Sequence, residues 1–117
     1  MLWLFFCYAA RSIIVLTMDK LEYFGKVIKV VTELMDVTER DIIGGEKFIA
    51  AVDARWLVIR LMHDKGYSTR QIAALVCAAR RSVNHALSLF DDRADFSMND
   101  LREAYKTASE RLATAEQ

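Results

Sequence analysis

The chain has 117 residues, 54 % of them apolar, with no proline, four glycines and a formal net charge of zero. That length holds one domain with a modest core and excludes two, and the lack of proline with scarce glycine excludes a turn-rich sheet protein in favour of helices. A neutral total lends no support to nucleic-acid binding through bulk charge, so the distribution of charge along the chain has to decide.

Met1 to Thr17, MLWLFFCYAARSIIVLT, is apolar and aromatic but interrupted by Arg11. It is short for a bilayer span and has no basic residue ahead of its apolar part, as a signal peptide would. Three readings stand open: a start-site artefact with the natural chain beginning at Met18, a packed extra element, or a membrane anchor. Asp19 with Glu22 resembles a capping box, and Leu21, Phe24, Ile28, Val31 and Met35 then recur at helical spacing, which predicts a helix over 20–35. A single apolar stripe of this kind is stable only when buried.

Thr38 can cap a short helix over 39–43, which Gly44-Gly45 then stops; this double glycine is the candidate hinge. A longer helix is expected over 48–65, with Phe48, Val52, Trp56, Ile59 and Met62 or His63 along one side, broadened by Leu57 and Leu61. Gly66 is its expected left-handed cap, and Trp56 is assigned to the core. Arg55, Arg60 and Lys65 are assigned to the exposed side of this helix. Beyond Phe90 the run DDRADF breaks the apolar period and is expected to be a loop. Ser97 with Asp100 should then start a last helix over 98–113, carrying Leu101, Ala104, Tyr105, Ala108 and Leu112.

Between these lies the stretch that organises the chain, Ser68 to Phe90, which reads as two short helices joined by a tight turn. Ser68 or Thr69 caps the first. Ile72, Ala73 and Val76 line its inner side, and Val83, Ala86 and Leu87 that of the second; a side chain larger than Ala73 would push the helices apart. Cys77 stands where many such motifs have glycine, so a less sharp turn with a buried small residue is expected there. Arg80, Arg81, Asn84, His85 and Ser88 are left outward on the second helix, a surface of cations and donors suited to a major groove. From Lys47 to Phe90 there are seven bases against two acids, and from Asp91 onward four bases against seven acids. The positive charge is therefore concentrated around the helix-turn-helix. Cys7 and Cys77 lack metal-ligand spacing and read as free thiols of a reducing compartment. No zinc set, catalytic set or cofactor loop stands out, so an enzyme and a cofactor are not expected.

The elements VTERDII, VDARWLVIRLMHDKG, STRQIA and SVNHAL, taken together over 37–89, resemble the C-terminal DNA-binding domain of the bacterial replication initiator DnaA, which is related in fold to the Trp repressor. The resemblance implies a leading turn, a connecting helix, a phosphate-touching helix and a recognition helix. It differs at Ala79 and Arg80, where the family has a base-reading Asp-His pair, and in GGEKFIAA, where the family has a basic minor-groove loop. No glycine-rich phosphate loop followed by Lys and Ser or Thr is present, which excludes ATP-driven origin melting.

The sequence therefore predicts an all-α bundle of five to six helices that binds double-stranded DNA from the cytoplasm, in replication or transcription control of a bacterial, phage or mobile-element system. Arg80, Arg81, Asn84 and His85 are the expected base readers, and Ser68, Thr69, Arg70, Ser82, Arg55 and Lys47 the expected phosphate contacts. For Ser68 and Thr69 simple capping explains the residue equally well, and His85 also fits a helix-packing role. The alternative is a protein-protein module, or a homodimer, built on the amphipathic helices over 20–35 and 98–113. A membrane is not an expected partner.

Overall fold

In the computed structural model, which describes residues 18–96 and 100–115, six helices and no strand form the described chain. They are α1 (Met18–Met35), α2 (Glu39–Ile43), α3 (Ile49–Lys65), α4 (Thr69–Val76), α5 (Arg80–Phe96) and α6 (Leu101–Ala115). The all-α class expected from composition is the observed one. Met1 to Thr17 lies outside the described residues.

The local stop signals act as their chemistry dictates. The Thr38 hydroxyl accepts from the Asp41 amide at 3.1 Å while the Asp41 carboxylate accepts from the Thr38 amide at 3.0 Å, so α2 begins in a reciprocal cap. Gly66 ends α3 with φ of 106°, a left-handed cap whose amide turns back to His63. Asp36 leaves α1 at φ of 53°, the left-handed position that a short polar side chain tolerates.

α3 packs against all five other helices. It is therefore buried around much of its circumference, with Ala51, Asp53, Ala54, Leu57, Val58, Ile59, Leu61 and Met62 all inside. The single stripe expected for it needs correcting: Phe48 and His63 are exposed, and Val52 and Trp56 are half-buried. A central helix with neighbours on several sides has no solvent face wide enough to make a stripe.

Several helix bounds also differ from expectation. α1 is already formed at Met18, ahead of the expected cap at Asp19. The run DDRADF is not a loop but the last turn and a half of α5. Phe90 and Ala94, one turn apart, continue the buried row of Val83 and Ala86, so the apolar period does not break. The last helix begins at Leu101, after Asp100 at φ of 50°, and its proposed cap Ser97 lies outside the described residues.

The buried sides of α1 (Phe24, Val27, Ile28 and Val31) and α6 (Leu101, Ala108 and Leu112) lie where these helices pack on each other and on α3. Most of each apolar stripe considered as a partner surface thus lies within the core, with Leu21, Met35, Ala104 and Tyr105 half-buried at its edge. A side cluster joins α3, α5 and α6: Arg60 sits 5.2 Å over the Phe90 ring and 5.3 Å over that of Tyr105. It donates to Asp64 at 3.2 Å and pairs with Asp91 at 3.9 Å, so Arg60 is engaged within the fold instead of lying on a free solvent face.

The Tyr105 hydroxyl donates to Asp64, and burial first, then this bond, raises its pKa above the ordinary tyrosine value, with Arg60 opposing. A raised folded pKa favours the protonated phenol, so this contribution is full below the unfolded value of about 10 and is lost as pH rises through the folded value. Thermal unfolding followed from pH 8 to 11 should show an alkaline loss of stability that Tyr105→Phe reduces; an unchanged profile in that variant would exclude the phenol as its source.

Candidate nucleic-acid interface

The two helices α4 and α5 are held together by the small and branched residues that their spacing singles out. Ile72, Ala73, Leu75 and Val76 on α4 and Val83 and Ala86 on α5 are buried. Between them Cys77 adopts φ of 58° and ψ of 46°, and its amide bonds back to the Ala73 carbonyl. The turn is thus a left-handed cap made without glycine, not the loosened turn expected, and Cys77 is half-buried. Packing on both flanks stabilises a conformation that costs a β-carbon-bearing residue about 1 kcal/mol.

With Val83, Ala86 and Phe90 inward, helical geometry turns Arg81, Asn84, His85 and Ser88 outward, with Arg80 and Ser82 on the flanks. All six are exposed. The Ser88 hydroxyl donates to the Asn84 backbone carbonyl at 2.9 Å, and Asn84 is itself exposed. At the start of α4 the Ser68 hydroxyl accepts from the Gln71 amide at 3.1 Å and the Gln71 side chain accepts from the Ser68 amide at 3.1 Å. Ser68 therefore acts as the cap of α4, Thr69 is half-buried and Arg70 is exposed.

Arginines divide sharply in this fold. Arg60, Arg93, Arg102 and Arg111 form ion pairs, whereas among the described residues Arg70, Arg80 and Arg81 form none within 4 Å, nor does Arg40 on α2. Arg55 belongs to the first group in effect. Its guanidinium donates to the carbonyls of Ile42 at 2.7 Å, Asp41 at 2.9 Å and Glu46 at 2.8 Å, fastening α2 and the glycine loop to α3. Burial lowers its pKa below the ordinary arginine value, with Glu46 opposing. The expected exposed Arg55 is thus corrected: the position is half-buried and its donors face inward. Lys47 stays exposed in the loop before α3.

An open cleft of about 450 Å³ lies between α3 and the start of α5, floored by Trp56, Ile59 and Val76 and edged by Arg81, Ser82 and His85. The Trp56 and His85 rings meet edge-on, 5.8 Å apart. The Arg93 guanidinium lies 5.0 Å from the Trp56 ring centre and pairs with Asp53, which is 1 % exposed. Asp53, Arg93 and Trp56 thus set the pose of α5 on α3, and sequence reading missed the first two. Asp53 looks like one more solvated acid among helical charges; the partner that makes it buried is 40 residues away.

Among the described residues no group of three His, Cys, Asp or Glu side chains is arranged to hold a metal, and no helix is long and apolar enough to cross a membrane. The chain matches no protein-family model, no curated protein and no solved structure.

Proposed function

We propose that the chain binds double-stranded DNA with sequence preference, α5 entering the major groove and α4 lying against the backbone. The observation that carries this reading is the set of exposed arginines without ion pairs on these two helices, Arg70, Arg80 and Arg81, in a fold where four other arginines are paired internally. An arginine fork suits a guanine edge, an asparagine amide suits adenine, and both need to be held outward on a rigid helix. Arg81, Asn84 and His85 meet that requirement on the outer side of α5, while Arg80, Arg70 and Lys47 serve the backbone or neighbouring bases. Ser68, Thr69 and Ser82 lie at helix starts, where amide donors and the positive dipole end favour phosphate.

The similarity of VTERDII, STRQIA and SVNHAL to the C-terminal domain of DnaA supports a role in replication or transcription control in the cytoplasm of a bacterial, phage or mobile-element host. The internal bonding of Arg55 removes it from the residues available to DNA.

Selection of bound sequences from a random duplex pool at two salt concentrations tests the reading. A recovered motif, with affinity falling steeply as salt rises, is the expected result; no enrichment and no retention at low salt would overturn it. On the selected site, Arg81→Ala should cost about 1 to 3 kcal/mol and relax preference at one position, whereas Arg70→Ala should weaken all sequences alike. An equal, uniform loss in both variants would show that Arg81 does not read a base.

A further inference from the structure

Where α1 meets the loop between α3 and α4, two lysines stand over a pair of tyrosines and a third lies on the same rim. The Tyr23 and Tyr67 rings lie 6.0 Å apart. The Lys20 ammonium stands 5.5 Å from the Tyr67 ring centre and that of Lys65 stands 5.1 Å from the Tyr23 ring centre. The Tyr67 hydroxyl donates to the Lys20 carbonyl at 2.7 Å, which ties α1 to the loop. Lys26 completes the rim of an open depression of about 390 Å³, with Glu22 as the acid on that rim. Three ammonium groups to one carboxylate is a local surplus in a chain whose net charge is zero.

The same loop runs on through Gly66 and Tyr67 to Ser68, Thr69 and Arg70, so the basic depression adjoins the start of α4. We infer that Lys20, Lys26 and Lys65 form a second patch touching the phosphodiester backbone of the duplex held by α4 and α5. This rests on the DNA-binding reading above. Ammonium groups are point charges that suit phosphate oxygens and lack the fork that identifies a base, so the patch supplies affinity and not sequence preference. Tyr67 is buried, which leaves its ring as a support for Lys20 and not as a platform for a base.

The test is the slope of log affinity against log salt for the full chain on its selected duplex. Exchanging all three lysines for glutamine should lower that slope by about 2 to 3, at roughly 0.9 for each phosphate that then keeps its counterion, while exchange for arginine leaves it unchanged. Lys26→Gln alone, which disturbs neither ring pairing, should lower the slope by about 0.9, so the test survives if the triple variant does not fold. Parent-like slopes in a folded triple variant and in Lys26→Gln would overturn the inference and leave the DNA-binding reading intact. Absence of DNA binding by the parent chain would remove both. Lysine-dependent sedimentation with phosphatidylserine vesicles, together with unchanged slopes on DNA, would overturn it in favour of a lipid surface.

Discussion

Arg93→Ala should destabilise the fold by about 3 kcal/mol, several times the loss expected for a surface arginine. The Asp53 side chain is 1 % exposed and receives the Arg93 guanidinium, while Arg93 is 31 % exposed and lies over Trp56. Removing the cation leaves a carboxylate deep in the core facing the place it occupied, and the share of its desolvation cost that the Arg93 charge offset is lost. The partial hydration of Arg93 holds the loss to the lower end of the range for broken buried pairs. Urea unfolding measures it directly. Arg102→Ala, whose pair with Asp95 is about half exposed on both sides, is the control and should cost about 1 kcal/mol or less. Replacing both buried partners, with Asp53→Leu and Arg93→Met, should recover much of the stability, since apolar groups of similar volume remove the desolvation cost. Equal small losses in Arg93→Ala and Arg102→Ala would mean that the buried carboxylate finds enough compensation elsewhere. Because Arg93 also packs on Trp56, which meets His85, this variant should also weaken the proposed DNA binding by letting α5 shift on α3.

Phe90→Ala should cost about 3 to 5 kcal/mol, a large share of the roughly 5 to 15 kcal/mol that stabilises a domain of this size. Phe90 is wholly buried, meets the Tyr105 ring edge-on at 5.4 Å, and lies beneath the Arg60 guanidinium. Truncation loses the apolar burial, leaves a cavity the size of a ring, and removes the surface on which α6 and Arg60 rest. Phe90→Leu, which keeps most of the volume, should lose much less, and the difference between the two in urea midpoint measures the cavity. This expectation depends on α5 continuing beyond Phe90. Were that residue the end of a helix fraying into a loop, alanine there would cost no more than about 1 kcal/mol, and such a result would place the second half of α5 outside the cooperative core.

Local chemistry was legible in the linear chain because each cue and its target lie within one or two helical turns. The Thr38 and Ser68 caps, the stop at Gly66, the short helix before Gly44 and the spacing of Ile72, Ala73, Val76, Val83 and Ala86 all belong to that class. So does the outward row of Arg81, Asn84, His85 and Ser88, which follows once the inward row is known. DDRADF departs from the expected loop for a related reason. Four charges mask an apolar pair, Phe90 and Ala94, whose spacing carries the helix onward.

By itself, then, the sequence determined the helical class, most helix ends, the α4 to α5 pair and the surface of donors that α5 presents. Only the tertiary structure decided which cations remain available. Arg55 and Arg60 looked as exposed as Arg70 or Arg81, yet one bonds to carbonyls from a separate helix and loop and the other is enclosed by Asp64, Asp91 and two rings. Likewise Lys20 and Lys26 join Lys65 where α1 packs on α3 and Tyr67 reaches across 47 positions to the backbone of α1. Capping and periodicity act between residues a few positions apart and can be read along the chain; desolvation and ion pairing act through space, and their partners are set by how α3 is surrounded.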